Sequence, residues 1–287
     1  MATRYKAVIL RCRMVKVNVF ACVSLMAVSV AMVSAQGDGS QPVARTDENS
    51  RLAHTQLLDK AHRRGIDVYF EGDSITRRWG TSDAAYRTFF DHWTRSFFGW
   101  NAANFGWGGD TVQNILWRLT EGELDGVEPK VIVVMAGTNN VGGMPRQGVD
   151  TAVVENVASG MKAVLELMRR KAPDAAVILM GITPRTDSAG GASVMPTIDA
   201  INERYARFAE GPRIRFVNIN AQLARTDGAP REGVTVDGLH LSLAGYQVWA
   251  DALKPIFTEL LGPPAAIDRA PPPTGDPSAA STSSPTR

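Results

Sequence analysis

The 287-residue chain is 44% hydrophobic and 21% charged, an ordinary globular composition with ample apolar residues for one well-buried core. Its formal charge of +2 rests on five Lys and Arg within the first 35 residues, and the remainder is mildly acidic, which excludes the clustered basic face of a nucleic-acid binder. Both cysteines, Cys12 and Cys22, fall in the same 35 residues, so the rest of the chain has no thiol for a disulfide, a zinc site or a nucleophile.

Residues 1–35 carry Arg4, Lys6, Arg11, Arg13 and Lys16 with no acidic residue, then an apolar run from Val17 to Val33, then small residues at Ser34 and Ala35. Basic, apolar and small-residue segments in that order predict a secretory signal peptide. An uncleaved membrane anchor is the competing reading, because the run approaches the length that spans a bilayer. On either reading the domain leaves the cytoplasm. Cleavage removes five positive charges and takes the net charge from +2 to −3. The polar, turn-rich residues 36–50 predict a flexible spacer, and the folded domain is expected over 51–261.

Within that span, short apolar runs alternate with longer helical patterns. Strands are expected at Val68–Glu71, Ala102–Phe105, Val131–Ala136, Ala176–Met180 and Ile214–Ile219, the third apolar throughout, as a strand covered on both faces is. Helices are expected at Thr111–Leu119, Thr151–Lys171, Ile198–Ala209 and Ser242–Leu261, with Ser242 as an N-cap. The alternation predicts an α/β fold, a doubly wound five-stranded parallel sheet with right-handed crossovers. From Gly262 to Arg287 the Pro- and Ser-rich composition predicts a disordered tail, too poor in apolar residues to offset its ordering entropy.

The chemistry-bearing residues fall just past strand ends, where doubly wound sheets bind ligands. Ser74 follows Gly72-Asp73 after the first strand, in a position to expose its hydroxyl at a helix start. Gly106-Trp107-Gly108-Gly109 follows the second strand and lets the backbone approach a ligand, with the N–H of Gly109 a candidate oxyanion donor. Asn139, after the third strand, offers a side-chain amide, and the N–H of Ser74 is a third donor. Asp237 lies three residues before His240 across Gly238, so its carboxylate can orient the imidazole while Nε2 takes the Ser74 proton. Taken singly, each of these is more often a cap, a turn or a packing glycine. Trp107, Val141, Met144 and the loop 186–196 are candidates to border the substrate. The glycines lack dinucleotide or P-loop spacing, and no His-Glu-x-x-His or paired Cys marks a metal site, so no cofactor or metal is expected.

Gly72-Asp73-Ser74, the glycine of Asn104-Phe105-Gly106-Trp107-Gly108-Gly109, Gly137-Thr138-Asn139 and Asp237-Gly238-Leu239-His240 resemble, in this order, the four blocks of the SGNH (GDSL) hydrolase superfamily. The resemblance covers nearly all of 68–261. Residues 104–140, including Leu116-Trp117-Arg118-Leu119, Gly122-Glu123-Leu124 and Pro129–Val134, together with Gly181-Ile182-Thr183-Pro184-Arg185, look most like the catalytic subunits of platelet-activating factor acetylhydrolases. It implies a three-layer α/β/α, flavodoxin-like fold and hydrolysis of short acyl esters without a cofactor. It also implies Ser74 as nucleophile, His240 as base, Asp237 as its orienter, and Gly109 and Asn139 as oxyanion donors. The export signal and the tail set this chain apart from the intracellular animal relatives. Three readings remain open: a deacetylase of acetylated carbohydrate, a hydrolase of lysophospholipid or other lipid esters, and a non-catalytic binding module on the same scaffold. Oligomeric state is not legible.

Overall fold

The computed structural model describes residues 38–142, 148–186 and 193–281. The expected signal peptide, Met144 and most of the loop 186–196 lie outside these residues. Five strands, β1 (Val68–Gly72), β2 (Ala102–Asn104), β3 (Val131–Met135), β4 (Ala176–Met180) and β5 (Ile214–Val217), form an all-parallel sheet in the order β2-β1-β3-β4-β5. The order reverses between β1 and β3, so the crevice beyond their carboxyl ends is the topological switch point of the fold. The register Val68↔Ala102 and Val68↔Val131 brings the ends of β1, β2 and β3 side by side.

Side chains alternate across the sheet and bury both faces, because successive residues of a strand point to opposite sides. Tyr69, Ile132 and Val134 enter one core with residues of α1 (Glu48–Ala61), α4 (Val112–Arg118), α6 (Thr151–Lys171) and α7 (Met195–Ala206). Val68, Phe70, Val131 and Val133 enter the other, with aromatic residues of α2 (Ser74–Gly80), α3 (Arg87–Phe97) and α9 (Leu243–Leu261). Three α/β/α layers result, as expected. Two four-residue helices, α5 (Thr138–Val141) and α8 (Asn220–Leu223), follow β3 and β5, and α10 (Pro277–Ser281) lies near the carboxyl terminus. Among the described residues no helix is long and apolar enough to cross a membrane.

Two segments differ from their composition-based expectation. Residues 38–50 do not form a free spacer: Asp47 caps α1 by accepting from the Ser50 N–H, Val43 hydrogen-bonds Gln113 and Asn114, and Arg45 reaches Gly108 and Asp110. Nor are residues 262–281 a disordered tail. Ala265 donates to Gly99 O, Gly99 to Asp268, Arg269 to Asn101, Trp100 to Gly262 O, and the Thr274 carbonyl accepts from Thr81 and Ser82. Asp276 accepts from Asn49, and its N–H donates to Asp83. The strap passes β2, an edge strand, across a cavity of about 230 Å³ that Ala102, Ala103 and Pro271–Pro273 help to line. Covering an edge in this way removes a template for aggregation. The partners that offset the ordering entropy come from elsewhere in the fold, which local composition does not reveal.

Candidate active site

Gly72 closes β1 where a Cβ would lie 2.2 Å from Thr76 Oγ1 and 2.6 Å from Met135 O, so only glycine fits the turn. Asp73 then caps α2, its Oδ1 accepting from the Ile75 N–H at 2.9 Å. Ser74 thereby becomes the first helical residue, and its N–H has no hydrogen-bond partner among the described residues. Burial pushes the Asp73 carboxyl up to about 7, although the Ile75 N–H opposes it.

Facing Ser74 from a distant part of the chain, His240 Nε2 stands 3.0 Å from Ser74 Oγ. Its Nδ1 is 2.7 Å from Asp237 Oδ2, while Asp237 Oδ1 accepts from the N–H groups of Leu239 (3.1 Å) and His240 (2.8 Å). Gly238 adopts φ +81° to close this turn. Burial raises the Asp237 carboxyl, but the His240 and Leu239 donors outweigh it and hold the group at about 2, ionised at any working pH. Burial lowers the His240 pKa, Asp237 opposes this, and Arg78 and Arg185 lower it further. The imidazole is therefore neutral at pH 7, with an acceptor nitrogen available to a serine hydroxyl.

The glycine loop is fastened to this corner by its main chain. Phe105 N–H donates to Phe70 O at 2.7 Å and Trp107 N–H to Gly72 O at 3.0 Å. Gly106 packs so closely on α2 that a Cβ would lie 2.6 Å from Arg77 N. Gly109 adopts φ +80°, and its N–H is likewise without a partner among the described residues. Asn139, on α5, donates one amide hydrogen to Asp110 O at 2.8 Å, which holds its side chain beside the loop. Beneath the loop, the buried Arg118 pairs with Glu71 (2.6 Å), Asp110 (2.7 Å) and Glu123, and donates to Phe105 O. The ends of β1 and β2 thus share one guanidinium. Such a cluster is tolerable in the interior only when every donor and acceptor is matched.

Two expected border residues differ from their reading. Trp107 is 7% exposed, its indole N–H donates to Ser50 Oγ at 2.8 Å, and the Arg77 guanidinium covers its ring at 4.6 Å. It is a packing residue with no open face for a sugar. Val141, the last residue of α5, is buried and packs into the hydrophobic core. Arg45, Arg78 and Asp110 carry no functional signal in the sequence, where Asp110 reads only as a helix-cap candidate beside Thr111. Arg78 lies 3.4 Å from Asp237 Oδ2, and Asp110 joins Arg45, Arg118 and Asn139. None stands in a pattern of its own; only the fold assembles them. Among the described residues no group of three or more His, Cys, Asp or Glu is arranged to hold a metal ion.

Residues 70–248 match the model of the GDSL-like lipase/acylhydrolase family. The chain belongs to that family. It is an ester-hydrolysing enzyme, a GDSL-type carboxylic ester hydrolase. The human platelet-activating factor acetylhydrolase IB subunit alpha1 is 33% identical over 212 residues, spanning 72% of this chain and 82% of the relative. The chicken alpha2 subunit is 30% identical over 216 residues, spanning 75% and 86%. A GDSL-like lipase from Bacteroides thetaiotaomicron shares the fold with a TM-score of 0.56 at 22% identity, covering 75% of this GDSL hydrolase and 98% of that chain.

Proposed function

We propose that this GDSL hydrolase is an exported serine esterase that removes short acyl groups, acetyl foremost, from carbohydrate. The observation that carries the catalytic reading is the relay from Ser74 Oγ to His240 Nε2 at 3.0 Å and from His240 Nδ1 to Asp237 at 2.7 Å. Ser74 Oγ attacks the ester carbonyl as its proton passes to His240, whose imidazolium Asp237 stabilises. The carbonyl oxygen takes up the negative charge facing the N–H groups of Ser74 and Gly109 and the second amide hydrogen of Asn139. Collapse breaks the ester C–O bond: the alcohol departs with the proton from His240, and the acyl group stays bonded to Ser74 Oγ. Water, deprotonated by His240, then releases the carboxylic acid and restores the serine.

Preference for a small acyl group is supported by relatives named acetylhydrolases. Export is supported by the basic, apolar and small-residue order of residues 1–35. A second reading, hydrolysis of lipid esters, is favoured by the platelet-activating factor in those relatives' names and by the exposed side chains of Val236 and Leu243, which flank His240 in the sequence. Rates on p-nitrophenyl esters from acetate to octanoate separate the two. Rates that fall steeply with chain length, with acetate released from acetylated glycans, support the deacetylase; rates that rise with length overturn it in favour of lipid esters.

A further inference from the structure

We propose that Arg45, in the segment preceding α1, is a positioning residue that polarises the peptide group supplying the oxyanion donor. Its Nη1 donates to Gly108 O at 3.0 Å. The carbonyl of Gly108 and the N–H of Gly109 belong to one peptide group, joined by amide resonance. A cation donating to that carbonyl draws electron density from the nitrogen and makes the N–H a stronger donor, as hydrogen bonds in a chain strengthen one another. The inference rests on the proposed role of Gly109 and adds a cause for its strength.

The guanidinium is built into place. Nε lies 3.1 Å and Nη2 3.0 Å from Asp47 Oδ2, while Asp47 Oδ1 is held as the N-cap of α1 by the Ser50 N–H at 2.8 Å. Nη1 also lies 3.3 Å from Asp110 Oδ1. Arg45 packs directly on the turn, since a Cβ at Gly109 would come within 3.2 Å of Nη1. Asp110 presents its second carboxylate oxygen to Arg118 and its main-chain carbonyl to Asn139, so the same arginine also steadies the other donor. The indole of Trp107 is tied to Ser50 in the adjoining turn of α1. A segment whose composition reads as a spacer therefore braces the oxyanion loop from outside the sheet.

The test compares Arg45→Met, Arg45→Gln and Arg45→Lys in the full chain, alongside Asn139→Ala and Ser74→Ala, with p-nitrophenyl acetate as substrate. A positioning role predicts that kcat falls ~10-fold or more in Arg45→Met and Arg45→Gln while KM stays within about twofold, as expected for an interaction made only in the transition state. Arg45→Lys, which keeps a donor cation, recovers part of the loss. Affinity for a trifluoromethyl ketone, whose adduct with serine carries an oxyanion, falls in step with kcat. Unchanged kcat and ketone affinity in Arg45→Met, with Asn139→Ala strongly impaired, would overturn the inference and leave the esterase reading intact. Loss of thermal stability with ketone affinity unchanged would reduce Arg45 to a structural brace and also overturns it. Full activity in Ser74→Ala would sink the underlying reading instead.

Discussion

His240 meets three influences besides its burial. Burial lowers its pKa, the Asp237 carboxylate opposes this, and the charges of Arg78 and Arg185 add to the lowering. Because the neutral imidazole is the base, kcat/KM should rise with pH through a midpoint below the ordinary histidine value of 6.5. Arg78→Gln removes one of the lowering charges, so the acid limb should move to higher pH; a limb that stays put, measured on p-nitrophenyl acetate, contradicts that coupling. Asp237→Asn should leave the fold intact and lower kcat by about 10⁴, because the imidazole loses the acceptor that fixes its tautomer. Near-normal turnover would assign the orienting task to another group. Short spacings and glycines make Ser74, Asp237 and His240 legible as candidates, and the fold brings the three side chains together. Trp107 and Val141 are buried although they read as border residues, because residue type beside a strand end does not disclose exposure. Arg45 was invisible, since nothing in residues 36–50 betrays a contact with Gly108, more than sixty positions away.

At the scale of elements, α2 and the glycine loop are one contact surface with little tolerance. A Cβ at Gly106 would meet Arg77 N at 2.6 Å and Asp73 O at 2.9 Å, both main-chain atoms that cannot rotate away. Gly106→Ala should therefore cost about 1–3 kcal/mol of stability and displace the helix that carries Ser74, lowering both Tm and turnover. At Gly108 nothing lies within 4 Å of an added Cβ, so Gly108→Ala should leave Tm nearly unchanged. Equal thermal shifts in the two variants would show that the close approach at Gly106 is not real. The strands were readable because fully buried parallel strands are continuous apolar runs, and β4 and α6 have the predicted bounds. β5 stops at Val217, two residues earlier than its apolar pattern, because Ile219 already begins the turn into α8. α1 has a mostly polar sequence and a weak apolar stripe, so most of its evidence is tertiary.

Across the whole molecule, residues 166 positions apart meet at hydrogen-bond distance at the carboxyl edge of the sheet, and Asn49 at the start of α1 donates to Asp276 of the strap. Asp276 of the strap lies 3.7 Å from Arg77, which in turn covers Trp107 in the glycine loop. Truncation after Leu261 removes the hydrogen bonds to Gly99, Trp100, Asn101 and Thr81. At ~1 kcal/mol for each such bond and about 2–4 °C per kcal/mol, Tm should fall by about 5 °C or more. An unchanged melting curve would return these residues to the free tail that their composition predicts. Composition concealed the strap because Pro and Ser report low local propensity, whereas residues 99–101 ahead of β2, residues 81–83 and Asn49 of α1 supply its partners. The proposed chemistry requires that the hydroxyl of Ser74 be the group that His240 activates. Its most direct test is a fluorophosphonate probe followed by peptide mass spectrometry on the wild type, His240→Ala and Ser74→Ala. One covalent adduct on Ser74 in the wild type, slow labelling in His240→Ala and none in Ser74→Ala is the predicted result; a folded wild type that turns over esters with Ser74 unlabelled, or a Ser74→Ala variant that keeps full activity, would contradict it.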